Sequence, residues 1–212
     1  HRGPIISDIH LFNKIFPNKY RKNSILSMRW VALENSGDEL TSFLKLNKAK
    51  NYYEFKEALR YFYAPGQNFI YADINGNIGY LCGARIPIRP NNSPSFVFDG
   101  KFSSNDWKGY VPFEEMPSQL NPATGYIATA NNKVDPKFSY HITNLWEPDS
   151  RINRINELLL KNEKHSVTNF MEYQNDYYSD YAGKLTPFIL KAFESTEITD
   201  DNLKLAIKLL KK

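Results

Sequence analysis

The sequence predicts an α+β chain, with antiparallel strands and two helices first, long ordered loops in the middle, and helices gathered at the C-terminal end. Three observations carry this expectation. Asn75-Gly76 stands between two alternating runs, 68–73 and 77–83, and that dipeptide is the strongest short signal for a hairpin. Ahead of it, two stretches repeat apolar residues every three to four positions, the period of a helix. After Pro148 the same period returns and persists to the C-terminus.

The elements follow in order. Residues 1–8 and 25–33 read as short strands, the second carrying Arg29-Trp30. Residues 38–49 predict a helix with Leu40, Phe43, Leu44 and Leu46 inward. Asn51, with Glu54 three positions on, opens a second helix through a capping-box-like start; Phe55, Leu59 and Phe62 form its apolar stripe and Pro65-Gly66 stops it. The hairpin comes next. Residues 86–120 turn to Pro, Asn, Ser and Gly with scattered aromatics, the composition of ordered loops. A strand over 126–129 runs into Asn131-Asn132. Helices are expected over 151–160, 167–181 and 200–211. The chain thus reads as one fragment over 1–212, with strands, two helices and loops in 1–135 and helix in 148–212.

Composition narrows the function. Hydrophobic residues at 42% and aromatics at 15% exclude disorder. The net charge of +4 is spread along the chain, without the basic stripe a nucleic-acid binder needs. No apolar stretch approaches the ~18 residues that cross a bilayer. The chain opens at His1 with neither Met nor a leader, and its last helix stops without a cap, so a piece of a longer protein is expected. The four histidines, His1, His10, His141 and His165, share no metal-ligand spacing with one another or with Cys82. Cys82 reads as a small core residue, with a thiol nucleophile as the alternative. Asp73-Ile74-Asn75-Gly76-Asn77 lacks the distal Glu of a calcium loop and reads as the hairpin turn.

Two features bear on catalysis. Two Asn residues closing an apolar run can form a turn, or one of their amides can donate to a developing oxyanion. Arg151 opens a helix, where the dipole disfavours a cation, so it reads either as a solvated surface Arg or as one with a specific partner.

Over nearly its whole length the chain resembles the central part of the β chain of the penicillin acylase family of N-terminal-nucleophile amidohydrolases. The resemblance rests on pieces in the family's order. These begin with His1-Arg2-Gly3-Pro4-Ile5-Ile6, Met28-Arg29-Trp30, Asn68-Phe69-Ile70-Tyr71-Ala72-Asp73 and Gly76-Asn77-Ile78-Gly79-Tyr80. Pro87-Ile88-Arg89, Asp106-Trp107-Lys108-Gly109 and Asn121-Pro122 follow. Ala128-Thr129-Ala130-Asn131-Asn132, Ser150-Arg151-Ile152 and Gln174-Asn175-Asp176 complete the series.

The resemblance implies a portion of an αββα four-layer sandwich and hydrolysis of the amide bond in an N-acylated small molecule. In the family an N-terminal Ser attacks the amide with its own α-amino group as base. Asn131 takes the place of the family's oxyanion-hole Asn, and Arg151 that of the Arg that holds it. Phe43 falls near an aromatic of the acyl pocket, or is a core residue. Tyr140 stands where a calcium-binding relative has Asp, with Asp135 a weak substitute, so no cofactor is expected. The nucleophile would lie upstream of His1, leaving these residues inactive alone. The implied partners are the α chain and the N-terminal part of the β chain, and the implied location is periplasmic or secreted. A non-catalytic binding or structural domain on the same scaffold is the alternative.

Overall fold

The computed structural model describes residues 2–7, 25–34, 37–90 and 97–211. Chain contacts divide it into two compact units, His1–Ile127 with Val134–Leu145, and Ala128–Lys133 with Trp146–Lys212.

The first unit holds the sheet. Strands β1 (Gln67–Ala72), β2 (Ile78–Gly83) and β3 (Ser118–Leu120) pair antiparallel in that order. The hairpin register runs from Gln67 opposite Gly83 to Ala72 opposite Ile78. Asp73 sets the turn, its carboxylate accepting from the backbone N–H of Asn75 and Asn77, each at 2.9 Å. Gly76 supplies the positive φ of +83° that closes it. Strand β3 was not expected from the sequence. It has three residues, and its partner strand lies about forty positions earlier, with Gly79 opposite Leu120. Asn121 fastens it by accepting from Ile78 N and donating to Asn77 Oδ1, each at 2.9 Å.

Helices α1 (Glu39–Leu46) and α2 (Tyr52–Leu59) precede the hairpin. Asp38 caps α1 through Thr41 N, and Asn51 caps α2 through Glu54 N, both at 2.9 Å. A buried cluster of Tyr52, Phe55, Leu59, Phe62, Leu81, Ile86, Val111 and Met116 joins α2, β2 and the middle loops. Tyr52 reaches across β2 to the Tyr80 carbonyl at 3.1 Å, through space left by Gly79, where a side chain would strike the ring.

Several expectations are corrected. In α1 the inward residue is Ser42, fully buried, while Leu40, Phe43 and Leu44 are 71%, 49% and 54% exposed. The face that packs is fixed by the Ser42–Leu46 side and by Glu39, which accepts from Tyr63 N and Ala64 N at 3.1 and 3.0 Å. The expected entering strands shrink to one antiparallel bridge between Ile5 and Ser27, and Val31–Leu33 coils into a 3-10 turn. His1 and Asp8 lie outside the described residues. The 126–129 run alternates as a strand should, but among the described residues it joins none of the strands.

The second unit is helical among the described residues, with α3 (Ser150–Leu159), α4 (Val167–Gln174), α5 (Asp180–Ala192) and α6 (Asp201–Leu210). The single helix expected over 167–181 breaks at Asn175, and α5 was missed. Ser166 and Asn169 close a full capping box on α4, and Ser179 starts α5 by accepting from Ala182 N at 3.1 Å. Gly183, Thr186 and Pro187 obscured α5 in the sequence, being poor helix formers.

Candidate active site

Asn131 sits at the end of the extended lead-in, with Ala130 buried before it. Its φ is +62°, the left-handed region that a non-glycine residue enters at a cost and that Asn tolerates through its short polar side chain. Two bonds hold it there. Asn132 turns its side-chain oxygen back onto Ala130 N at 3.0 Å, and Glu147 N donates to the Asn131 carbonyl at 3.0 Å. The two Asn residues therefore divide the work. Asn132 makes the turn, and Asn131 is left to display its amide.

Arg151 lies in the first turn of α3 and donates from Nη1 to Asn131 Oδ1 at 3.3 Å, a long hydrogen bond between exposed groups. A guanidinium has only donors, so the amide oxygen must face it and Nδ2 points elsewhere. Among the described residues nothing accepts from that Nδ2. The sequence-expected pair thus meets, twenty positions apart, with one side of the amide engaged and the donating side open.

One turn along α3, Arg154 forks Asp176 through Nε and Nη2 at 3.0 and 2.6 Å and bonds Glu157 at 3.0 Å. Its guanidinium also lies 4.6 Å over the Tyr178 ring. The hydrogen bond from Arg154 holds the Asp176 carboxyl below the usual carboxylate range. This support for α3 went unrecognised in the sequence. The only signal was Gln174-Asn175-Asp176, quoted for the resemblance without a role.

Phe43 lies in the first unit. About half exposed, it meets Phe62 edge-on with ring centroids 5.8 Å apart. Cys82 lies on β2, where burial pushes its thiol up to about 11. A thiol so rarely ionised near neutral pH is a poor nucleophile. Tyr140 donates to Glu115 at 2.7 Å, and Asp135 caps the next turn through Lys137 N at 2.8 Å. Among the described residues no three His, Cys, Asp or Glu side chains gather as a group that could hold a metal ion. Among the same residues no helix is long and apolar enough to cross a membrane.

The family model described as penicillin amidase matches residues 1–212. The chain belongs to the penicillin amidase family. It is 37% identical over 136 residues to penicillin G acylase of Escherichia coli, covering 58% of this chain and 15% of that protein. With the penicillin acylase 2 proenzyme of Pseudomonas sp. (strain SE83) the identity is 28% over 166 residues, 77% of this chain and 21% of the proenzyme. Acyl-homoserine lactone acylase QuiP of Pseudomonas fluorescens (strain Pf0-1) is 31% identical over 150 residues, 69% of this chain and 18% of its own. Among solved structures, the thermostable penicillin G acylase from Alcaligenes faecalis matches with a TM-score of 0.61 and 30% identity, over 82% of this chain and 32% of that one. This penicillin amidase chain therefore has the fold of one part of an Ntn hydrolase. It spans about a fifth of the length of the curated relatives.

Proposed function

We propose that this chain supplies one arm of the oxyanion hole to an amidohydrolase that cleaves N-acylated small molecules. The observation that carries the reading is the Asn131 amide, held in a left-handed backbone with its oxygen on Arg151 and its N–H groups open. In the proposed reaction an N-terminal Ser outside these 212 residues attacks the substrate carbonyl carbon. Its hydroxyl proton passes to its own α-amino group. The carbonyl oxygen becomes an oxyanion and accepts from Asn131 Nδ2 and from a backbone N–H. Collapse breaks the C–N bond, the proton leaves with the amine, and water then hydrolyses the acyl ester. Arg151 is the positioning residue that keeps the amide turned the right way. Relatives named as acylases of penicillins and of acyl-homoserine lactones support an N-acyl amide as substrate.

The whole protein in this reading pairs the chain with the α chain and the N-terminal part of the β chain, and works in the periplasm or outside the cell. These 212 residues alone would not turn over an amide. The test is Asn131→Ala in the full-length protein, assayed on penicillin G and on an N-acyl-homoserine lactone. A fall in kcat of about 10²–10³-fold is expected for the loss of one oxyanion donor. Full activity in the variant would remove Asn131 from the chemistry. A wild-type protein that binds these amides without cleaving them would favour the non-catalytic scaffold.

A further inference from the structure

The first unit contains a cavity of about 450 Å³ into which three arginines face, Arg2, Arg29 and Arg89, together with Trp107. Two of the three are already satisfied. Arg2 forks Asp106 through Nε and Nη2 at 2.6 and 3.1 Å. Arg29 bonds Glu34 at 3.2 Å and lies 4.3 Å over the Trp107 ring. Arg89 differs. Among the described residues no oxygen accepts from its guanidinium, which lies 5.5 Å from the centroid of the Trp107 ring. Burial alone acts on it, in the direction of proton loss. The remaining cavity carboxylate, Asp99, is turned to Lys101 N at 2.9 Å.

A half-buried cation without a partner is unfavourable in a low-dielectric setting, and an anion relieves that cost. The guanidinium fork fits a carboxylate with two parallel bonds. Apolar side chains share the wall with Ser27, Asn105 and Asp106. Ile25, Met28 and Val97 line it and keep 75%, 40% and 47% of their surfaces exposed. The volume lies in the ordinary range for a small-molecule site. We propose that this cavity binds a small carboxylate with a short apolar body, the carboxylate on Arg89 and the body along Ile25, Met28 and Val97.

The proposal is independent of Asn131, and so is its test. The full-length protein is titrated calorimetrically with hexanoate, hexanamide and inorganic phosphate. Hexanoate is expected to bind saturably, one per chain, and the other two about ten-fold more weakly or worse, since each lacks either the charge or the apolar body. Arg89→Met should weaken hexanoate about ten-fold or more, with Arg89→Lys between it and wild type. Ile25→Glu, a change at an exposed position, should place a carboxylate in the cavity and compete with hexanoate, which covers the case of an Arg89→Met protein that fails to fold. Phosphate binding as tightly as hexanoate, no saturable binding because one of the protein's own carboxylates holds Arg89, or hexanoate affinity unchanged in the variants would each overturn the proposal.

Discussion

Arg154 grips both carboxylate oxygens of Asp176, at 3.0 and 2.6 Å, at the point where the helical run after residue 167 breaks. The same Asp176 accepts from Tyr178 N at 3.1 Å, so one side chain ties α3 to the start of the segment leading into α5. Arg151 stands one turn before Arg154 on that helix. The ion pair therefore fixes the platform from which Arg151 reaches Asn131.

A pH dependence follows from this pair. The native state holds Asp176 below its usual value, chiefly through the hydrogen bond from Arg154, so the charged form stabilises the fold. That contribution is present above the unfolded-state pKa of about 3.9 and is lost as pH falls through the lowered folded value. Asp176→Asn should melt below the wild type at neutral pH, and the gap should close on acidification. A gap of constant width across the pH range would show that the carboxylate charge is not what matters.

Arg151→Leu in the full-length protein should lower kcat more than it raises KM, because a misaimed amide matters chiefly once the oxyanion has formed. The bond is long and exposed, so the loss should be smaller than that of Asn131→Ala, about ten-fold. Arg151→Lys keeps a donor and should recover part of it. Steady-state kinetics that show a KM effect alone would assign Arg151 to binding.

Cys82 should react slowly with iodoacetamide at neutral pH and faster as pH climbs toward about 11, where burial has moved its ionisation. Cys82→Ala should leave amide hydrolysis intact. Rapid alkylation at neutral pH, or loss of turnover in the variant, would restore the thiol as a nucleophile.

Leu81 is completely buried in the cluster beneath β2. Leu81→Ala should cost about 2–5 kcal/mol, the loss of transfer energy plus the cavity left behind. Urea unfolding monitored by circular dichroism measures this directly; a loss below about 1 kcal/mol would mean that the site collapses around the smaller side chain.

What the sequence disclosed followed the range of the forces involved. The hairpin at Asn75-Gly76 and the capped start at Asn51 rest on residues within four positions of each other, and they were legible. Strand β3 was hidden because its ladder is set by residues about forty positions away. Periodicity put Leu40, Phe43 and Leu44 inward, whereas tertiary contacts through Glu39 turned α1 onto its Ser42 side. The 126–129 run shows that alternation without a neighbouring strand does not make a ladder. At the site, Asn131 and Arg151 were found through the family's ordered motifs. Arg154 and Asp176 are 22 positions apart with nothing local to link them, and their pairing needed coordinates.

The positive φ at residue 131 narrows what substitution can do there. Glycine accepts the backbone and brings no amide. Aspartate tolerates the backbone and would draw Arg151 closer, but it would set a negative charge against a developing oxyanion. Glutamine carries the amide on a longer arm and bears about 1–2 kcal/mol for the left-handed conformation. One filter is steric and the other chemical, and of the twenty amino acids asparagine alone passes both. The main chain removes most side chains from this position, and in the proposed reaction the chemistry removes glycine and aspartate.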